Sequence, residues 1–111
     1  MNLQVSMLLR KLIKHTPKNR KNTFISGLSS DSNEVKKNFI FFAIKGNKIN
    51  GENFIKSAIK KGATVIVCSK NCKINFKNIT FIKTNKVRAL LSEAAAKFYK
   101  LKPKNIIAVT G

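Results

Sequence analysis

A chain of 111 residues that is 43% hydrophobic can bury one modest core, since domains of this size withdraw about two thirds of their unfolded surface from water. Its 23 basic and 4 acidic residues give a net charge of +19, which raises the class of nucleic-acid binders. Arg10, Arg20 and Arg88 are the only arginines, however, and the lysines are scattered, with no basic helical stripe and no aromatics spaced for base stacking, so specific nucleic-acid reading is disfavoured.

In chain order, Val5, Leu8, Leu9, Leu12 and Ile13 recur at helical spacing and predict an amphipathic helix over residues 3–14. A polar link follows. Phe24 and Ile25 start a short extended piece that Gly27 and the Ser29-Ser30-Asp31-Ser32 cluster are expected to turn. Residues 39–44 form an unbroken apolar run, the pattern of a central strand covered on both faces. A loop punctuated by Gly46 and Gly51 comes next. Phe54, Ile55, Ala58 and Ile59 then predict a helix over residues 52–61, capped at its end by Gly62. Residues 64–68 and 79–83 read as strands. Asn85 is placed to cap a helix carrying Val87, Leu90, Leu91, Ala94 and Phe98, which Pro103 terminates. Residues 106–109 form a last strand that runs into Thr110-Gly111, as in a strand leading to a phosphate-binding loop.

The cysteines at positions 68 and 72 are four apart, and one His (His15) accompanies them. That spacing is too weak for a zinc site, so free thiols are expected, and His15 reads as exposed in the polar link. No apolar run approaches the roughly 20 residues of a membrane span. The N-terminal apolar positions are interrupted by Arg10, Lys11 and Lys14 with no small-residue cleavage site, so no signal peptide is expected and the cytoplasm is the expected compartment. The heavy use of Lys, Asn and Ile reads as codon composition, although such a surface attracts polyanions at low salt.

Together these segments resemble the N-terminal domain of the Mur ligases. The matching blocks are Ser30-Asp31-Ser32, residues 39–44 with Lys45-Gly46, Asn50-Gly51-x-x-Phe54-Ile55, Ala58-Ile59-x-x-Gly62-Ala63, Arg88-Ala89-Leu90, Lys97-Phe98-Tyr99, Pro103 and Ala108-Val109-Thr110-Gly111. The pattern is most similar to the member that adds the third amino acid. The member that adds a D-alanyl-D-alanine dipeptide is the alternative within the family, and a small basic nucleic-acid-binding module is the alternative outside it.

The resemblance implies an α/β fold, a small mixed sheet flanked by helices, with residues 1–104 forming a UDP-binding domain and residues 105–111 the first strand of an ATP-binding domain. It implies that Ser30 and Ser32 contact the uridine nucleotide of a UDP-N-acetylmuramoyl dipeptide, together with Asn47, Lys48 and Ile49. Read from the residues alone, Ser30 to Ser32 also fit a plain turn bonded to its own backbone, and Lys48 a solvated surface lysine. Gly111 maps to the first glycine of the ATP loop. The resemblance further implies ATP and Mg for the full-length enzyme, neither for this stretch alone, no catalytic residue or metal site within it, and a monomer with no specific nucleic-acid or membrane partner. Two positions depart from the family pattern. Asn33 stands where an arginine is usual, and Asn50 where an aspartate is usual.

Overall fold

A computed structural model of the chain describes residues 7–13, 23–46 and 50–99. Among them, β1 (Met7–Leu8) and β2 (Phe24–Ile25) form a small antiparallel pair, with α1 (Leu9–Leu12) between them in sequence. The main sheet consists of β3 (Gly27–Ser29), β4 (Phe39–Phe42), β5 (Val65–Cys68) and β6 (Thr80–Lys83), hydrogen-bonded in that order and all parallel. Between β4 and β5 lie a 3-10 turn, Gly51–Phe54, and α2 (Ile55–Lys61); α3 (Val87–Tyr99) follows β6. This is the α/β architecture expected from the sequence, except that the main sheet is wholly parallel rather than mixed, the antiparallel pair standing as a separate two-stranded sheet.

The unbroken apolar run of β4 is explained by burial on both faces. Ile40 and Phe42 point into one core with Val65, Val67 and Ile82, which α1 and α3 cover through Leu9, Leu12, Val87, Ala94 and Phe98. Phe41 and Ala43 point the other way, toward Ile66 and Cys68, under Ile55 and Ala58 of α2. The period-2 alternation of the strands therefore divides one sheet between two cores. Helices on both faces leave the strand ends as the open edges of the layer.

Three further expectations are corrected. The helix drawn over residues 3–14 is a single turn, Leu9–Leu12, preceded by strand β1. Pairing of Met7 with Ile25 and Leu8 with Phe24 overrides the helical spacing, because one helical turn has little stability of its own. Gly27 lies inside β3, paired with Phe39, rather than in a turn, and the chain bends only at Ser30. At the start of α3 the local hydrogen bond comes from Thr84, whose Oγ1 accepts from Lys86 N at 3.0 Å, and not from Asn85.

Gly62 ends α2 with φ +122°, a conformation open to glycine at little cost. Its N–H bonds back to Ile59 O at 3.1 Å, and its own carbonyl accepts from Asn38 N at 2.9 Å. The end of α2 is thereby fixed against the turn that leads into β4. His15, Pro103 and the strand expected over residues 106–109 lie outside the described residues.

Candidate functional site

In open parallel sheets the connections at the carboxyl ends of the strands diverge and leave a crevice. Three such connections meet here. The first leaves β3 at Ser29, whose Oγ accepts from Asp31 N at 2.9 Å. Asp31 Oδ1 accepts from Asn33 N at 2.9 Å and opens a 3-10 turn, Ser32–Glu34. Asp31 is therefore committed to holding the bend. Ser32 is only 8% exposed, and its hydroxyl makes no hydrogen bond to any described residue. Among the described residues the one buried side-chain polar atom left unpaired is Thr64 Oγ1, so the Ser32 hydroxyl still reaches solvent and can exchange water for a ligand group.

The second connection leaves β4. Lys45 and Asn50 pair as an isolated antiparallel bridge, and Gly51 N donates to Ile44 O at 2.8 Å, so both ends of the intervening loop are pinned. Gly51 is glycine by necessity: a Cβ there would stand 2.6 Å from Ile44 N and 2.8 Å from Ile44 O. Asn50 Oδ1 accepts from Glu52 N at 3.0 Å and caps the Gly51–Phe54 turn. The amide oxygen thus does what a carboxylate would do at this position, and the departure from the family pattern has no local structural cost. Ser69 Oγ, at the end of β5, donates to Glu52 Oε2 at 2.7 Å and holds the turn against the sheet. The third connection follows β6 and presents Arg88 in the first turn of α3.

Between these connections lies a cleft of about 490 Å³. Ser30, Asp31, Ser32 and Asn33 of the first connection, Ile44, Gly46, Gly51 and Phe54 of the second, and Arg88 of the third line it. The structure thus brings Ser30 and Ser32 together with the two glycines that bracket Asn47, Lys48 and Ile49. Those three residues, and Gly111, lie outside the described residues. Phe54, placed by spacing in the apolar stripe of the following helix, instead precedes that helix, is 40% exposed and lines the cleft. Arg88 is a cleft residue outside the set of nucleotide contacts that the resemblance implies. Its signal was present in the sequence, as an arginine in a lysine-dominated chain, set at a helix start where a cation is disfavoured by the helix dipole.

The cysteines lie apart from the cleft's lining. Cys68 and Cys72 are free and buried beneath α2. Burial, and then the neighbouring Cys72 thiol, push the Cys68 thiol up to about 12. A thiol held protonated is a poor nucleophile and metal ligand, and among the described residues no cluster of three or more His, Cys, Asp or Glu gathers for a metal. Nor is any helix among them long and apolar enough to cross a membrane.

Residues 24–99 match the family model described as Mur ligase family, catalytic domain. The chain belongs to the Mur ligase family. Over 87 residues it is 44% identical to the UDP-N-acetylmuramoyl-L-alanyl-D-glutamate--2,6-diaminopimelate ligase of Rickettsia montanensis, covering 78% of this chain and 18% of that one. Over 94 residues it is 46% identical to the ligase of the same name from Clostridium tetani, covering 78% and 19%. This Mur ligase chain therefore spans about a fifth of the length of those relatives, corresponding to their N-terminal domain. Among solved structures, one of MurF from Acinetobacter baumannii superposes with a TM-score of 0.67 over 86% of this chain and 21% of that one, at 18% identity, which shows a shared fold.

Proposed function

We propose that this chain is the nucleotide-gripping domain of a ligase that adds meso-diaminopimelate to UDP-N-acetylmuramoyl-L-alanyl-D-glutamate, and that the cleft at the carboxyl ends of β3 and β4 receives the uridine nucleotide. The observation that carries the reading is the meeting of the Ser30–Asn33 bend with the loop bounded by Gly46 and Gly51 in one cavity. Ser32 offers a hydroxyl with no partner among the described residues, and the glycine-bounded loop lets backbone groups come close to a ligand. Such short donors and acceptors suit the edge of a flat base, whose faces need apolar cover. In this reading Ser30, Ser32, Asn47, Lys48 and Ile49 are the binding residues. The names of the relatives by sequence favour the diaminopimelate-adding enzyme over the member that adds D-alanyl-D-alanine.

In the whole enzyme, ATP would phosphorylate the substrate's terminal carboxylate. The amino group of the incoming amino acid would then attack the acyl phosphate, and phosphate would leave from a tetrahedral intermediate. This chain contributes only the handle. Asp31, the one acid lining the cleft, already caps the bend, so the donor set fits a nucleotide and not Mg. ATP and Mg belong to the parts of the enzyme beyond residues 1–104, with residues 105–111 opening that unit at Gly111. The chain alone is expected to form no peptide bond, to act as a monomer in the cytoplasm, and to bind neither membrane nor specific nucleic acid.

Titration with UDP followed by amide chemical shifts tests the proposal. Shifts should cluster at Ser30, Ser32, Gly46 and Gly51 with Kd about 1 mM, equivalent to about 4 kcal/mol, because most substrate contacts lie elsewhere in the enzyme. ADP at the same concentration should shift them less. An unchanged spectrum at tens of millimolar UDP, or equal response to both nucleotides, would sink the assignment.

A further inference from the structure

We infer that Arg88 receives the diphosphate, so that this cleft distinguishes a uridine diphosphate from the uncharged nucleoside. The inference rests on the cleft being the uridine site, and adds to it a residue on a different element from either loop. Arg88 is exposed, and it is the only basic side chain among the described residues that line the cavity. It makes no ion pair or hydrogen bond with a described residue; the one salt bridge of α3 joins Lys97 to Glu93, at the other end of the helix.

Position argues for a ligand rather than for helix stability. In the first turn of α3 a cation faces the positive end of the helix dipole, and no acidic residue stands in that turn to offset it. An arriving anion removes the conflict, since it would meet the guanidinium and the positive helix end together. A guanidinium also matches phosphate oxygens in a forked, two-bond geometry that a lysine does not offer. The bend that carries Asn33 contributes no lining cation of its own: Asn33 presents an amide, and the Lys61 ammonium, which does not line the cavity, donates to its oxygen at 3.1 Å. A second, independent sign of a ligand lies on that bend. Ser32, a residue more than nine-tenths buried and lining the same cavity, has a hydroxyl with no partner among the described residues. Ile44 and Phe54 add apolar surface to the same lining, and a nucleotide calls for these three kinds of contact, polar to the base edge, apolar to its faces and cationic to its phosphates.

The test compares UDP with uridine on wild type, Arg88→Ala and Arg88→Lys, using amide shifts for binding and thermal unfolding for integrity. Arg88→Ala should weaken UDP about tenfold, leave uridine within about twofold, and leave the melting temperature unchanged, as an exposed substitution should. Arg88→Lys should restore part of the UDP affinity by charge alone. If UDP and uridine both bind wild type and Arg88→Ala weakens neither, or both equally, the role given to Arg88 is wrong while the uridine site stands. If wild type binds neither ligand, the site itself fails and this inference with it.

Discussion

Replacing Gly51 with alanine probes whether the second loop must press its backbone against the strand it follows. The added Cβ would sit 2.6 Å from Ile44 N, 2.8 Å from Ile44 O and 3.0 Å from Ala43 C, all backbone atoms that cannot swing aside. Relief requires moving the segment that leaves β4 and stretching the 2.8 Å bond from Gly51 N to Ile44 O. Overpacking of this kind costs about 1–3 kcal/mol, and loss of a buried backbone hydrogen bond about 1–3 kcal/mol. The two share one distortion and are not additive, so about 2–4 kcal/mol is expected. Gly→Ala would otherwise stabilise by about 0.4–1 kcal/mol through the unfolded chain, so a loss is opposite in sign to the generic effect. For a domain near 100 residues the loss corresponds to a melting temperature lower by roughly 10–30 °C. The chain has no Trp and one Tyr, so urea unfolding is best followed by far-ultraviolet circular dichroism. Lys56→Ala, exposed on α2, is the control and should change stability by less than about 0.5 kcal/mol. If Gly51→Ala behaves like the control and keeps the UDP-induced shifts at Ser32, the close approach does not shape the cleft.

Stability should also fall at high pH through Cys68. Burial raises its thiol from 9.0 to about 12, so the folded state prefers the protonated form; the contribution is complete below pH 9 and is lost as pH rises from there toward 12. Urea midpoints between pH 8 and 11 should show a shallower decline for Cys68→Ala than for wild type, and an equal slope would refute the assignment. Thr64 carries a buried Oγ1 with no partner among the described residues, so Thr64→Val, which keeps the β-branch that suits an extended segment, should stabilise the fold by about 1 kcal/mol in the same assay; a loss would mean that the hydroxyl is satisfied in solution. Finally, random oligonucleotide should be released steeply between 50 and 200 mM salt while the UDP shifts survive. Oligonucleotide binding that resists salt would favour the nucleic-acid alternative.

The parts of the fold legible in the sequence are those decided by nearest neighbours along the chain. β4 announces itself because a strand between two helical layers has no solvent face, and α2 because Gly62 can adopt φ +122° where its helix stops. The misreadings are decided by partners distant in sequence. Leu8 and Leu9 have helical spacing with Leu12, yet Leu8 is taken by Phe24 into a strand pair. Gly27 looks like a turn residue until Phe39 lies beside it. The same division runs through the site. Ser30 and Ser32 could be marked from their motif, but that Phe54 and Arg88 reach the same cavity depends on how the connections after β4 and β6 fold over the strand ends, which no local pattern encodes.

The two departures from the family pattern separate once they are placed in the structure. At position 50 the requirement is one acceptor for Glu52 N, which either an amide or a carboxylate oxygen supplies; charge is incidental there. At position 33 charge matters. Asn33 accepts a hydrogen bond from the Lys61 ammonium, whereas an arginine in its place would set one cation against another across the gap between the β3 connection and α2. A neutral acceptor at 33 and a lysine at 61 therefore form a consistent pair, in which the bend's own side chain at 33 is uncharged and the Lys61 ammonium is engaged by it. Among the described residues that line the cleft, the side chain that meets an anionic ligand with positive charge is Arg88.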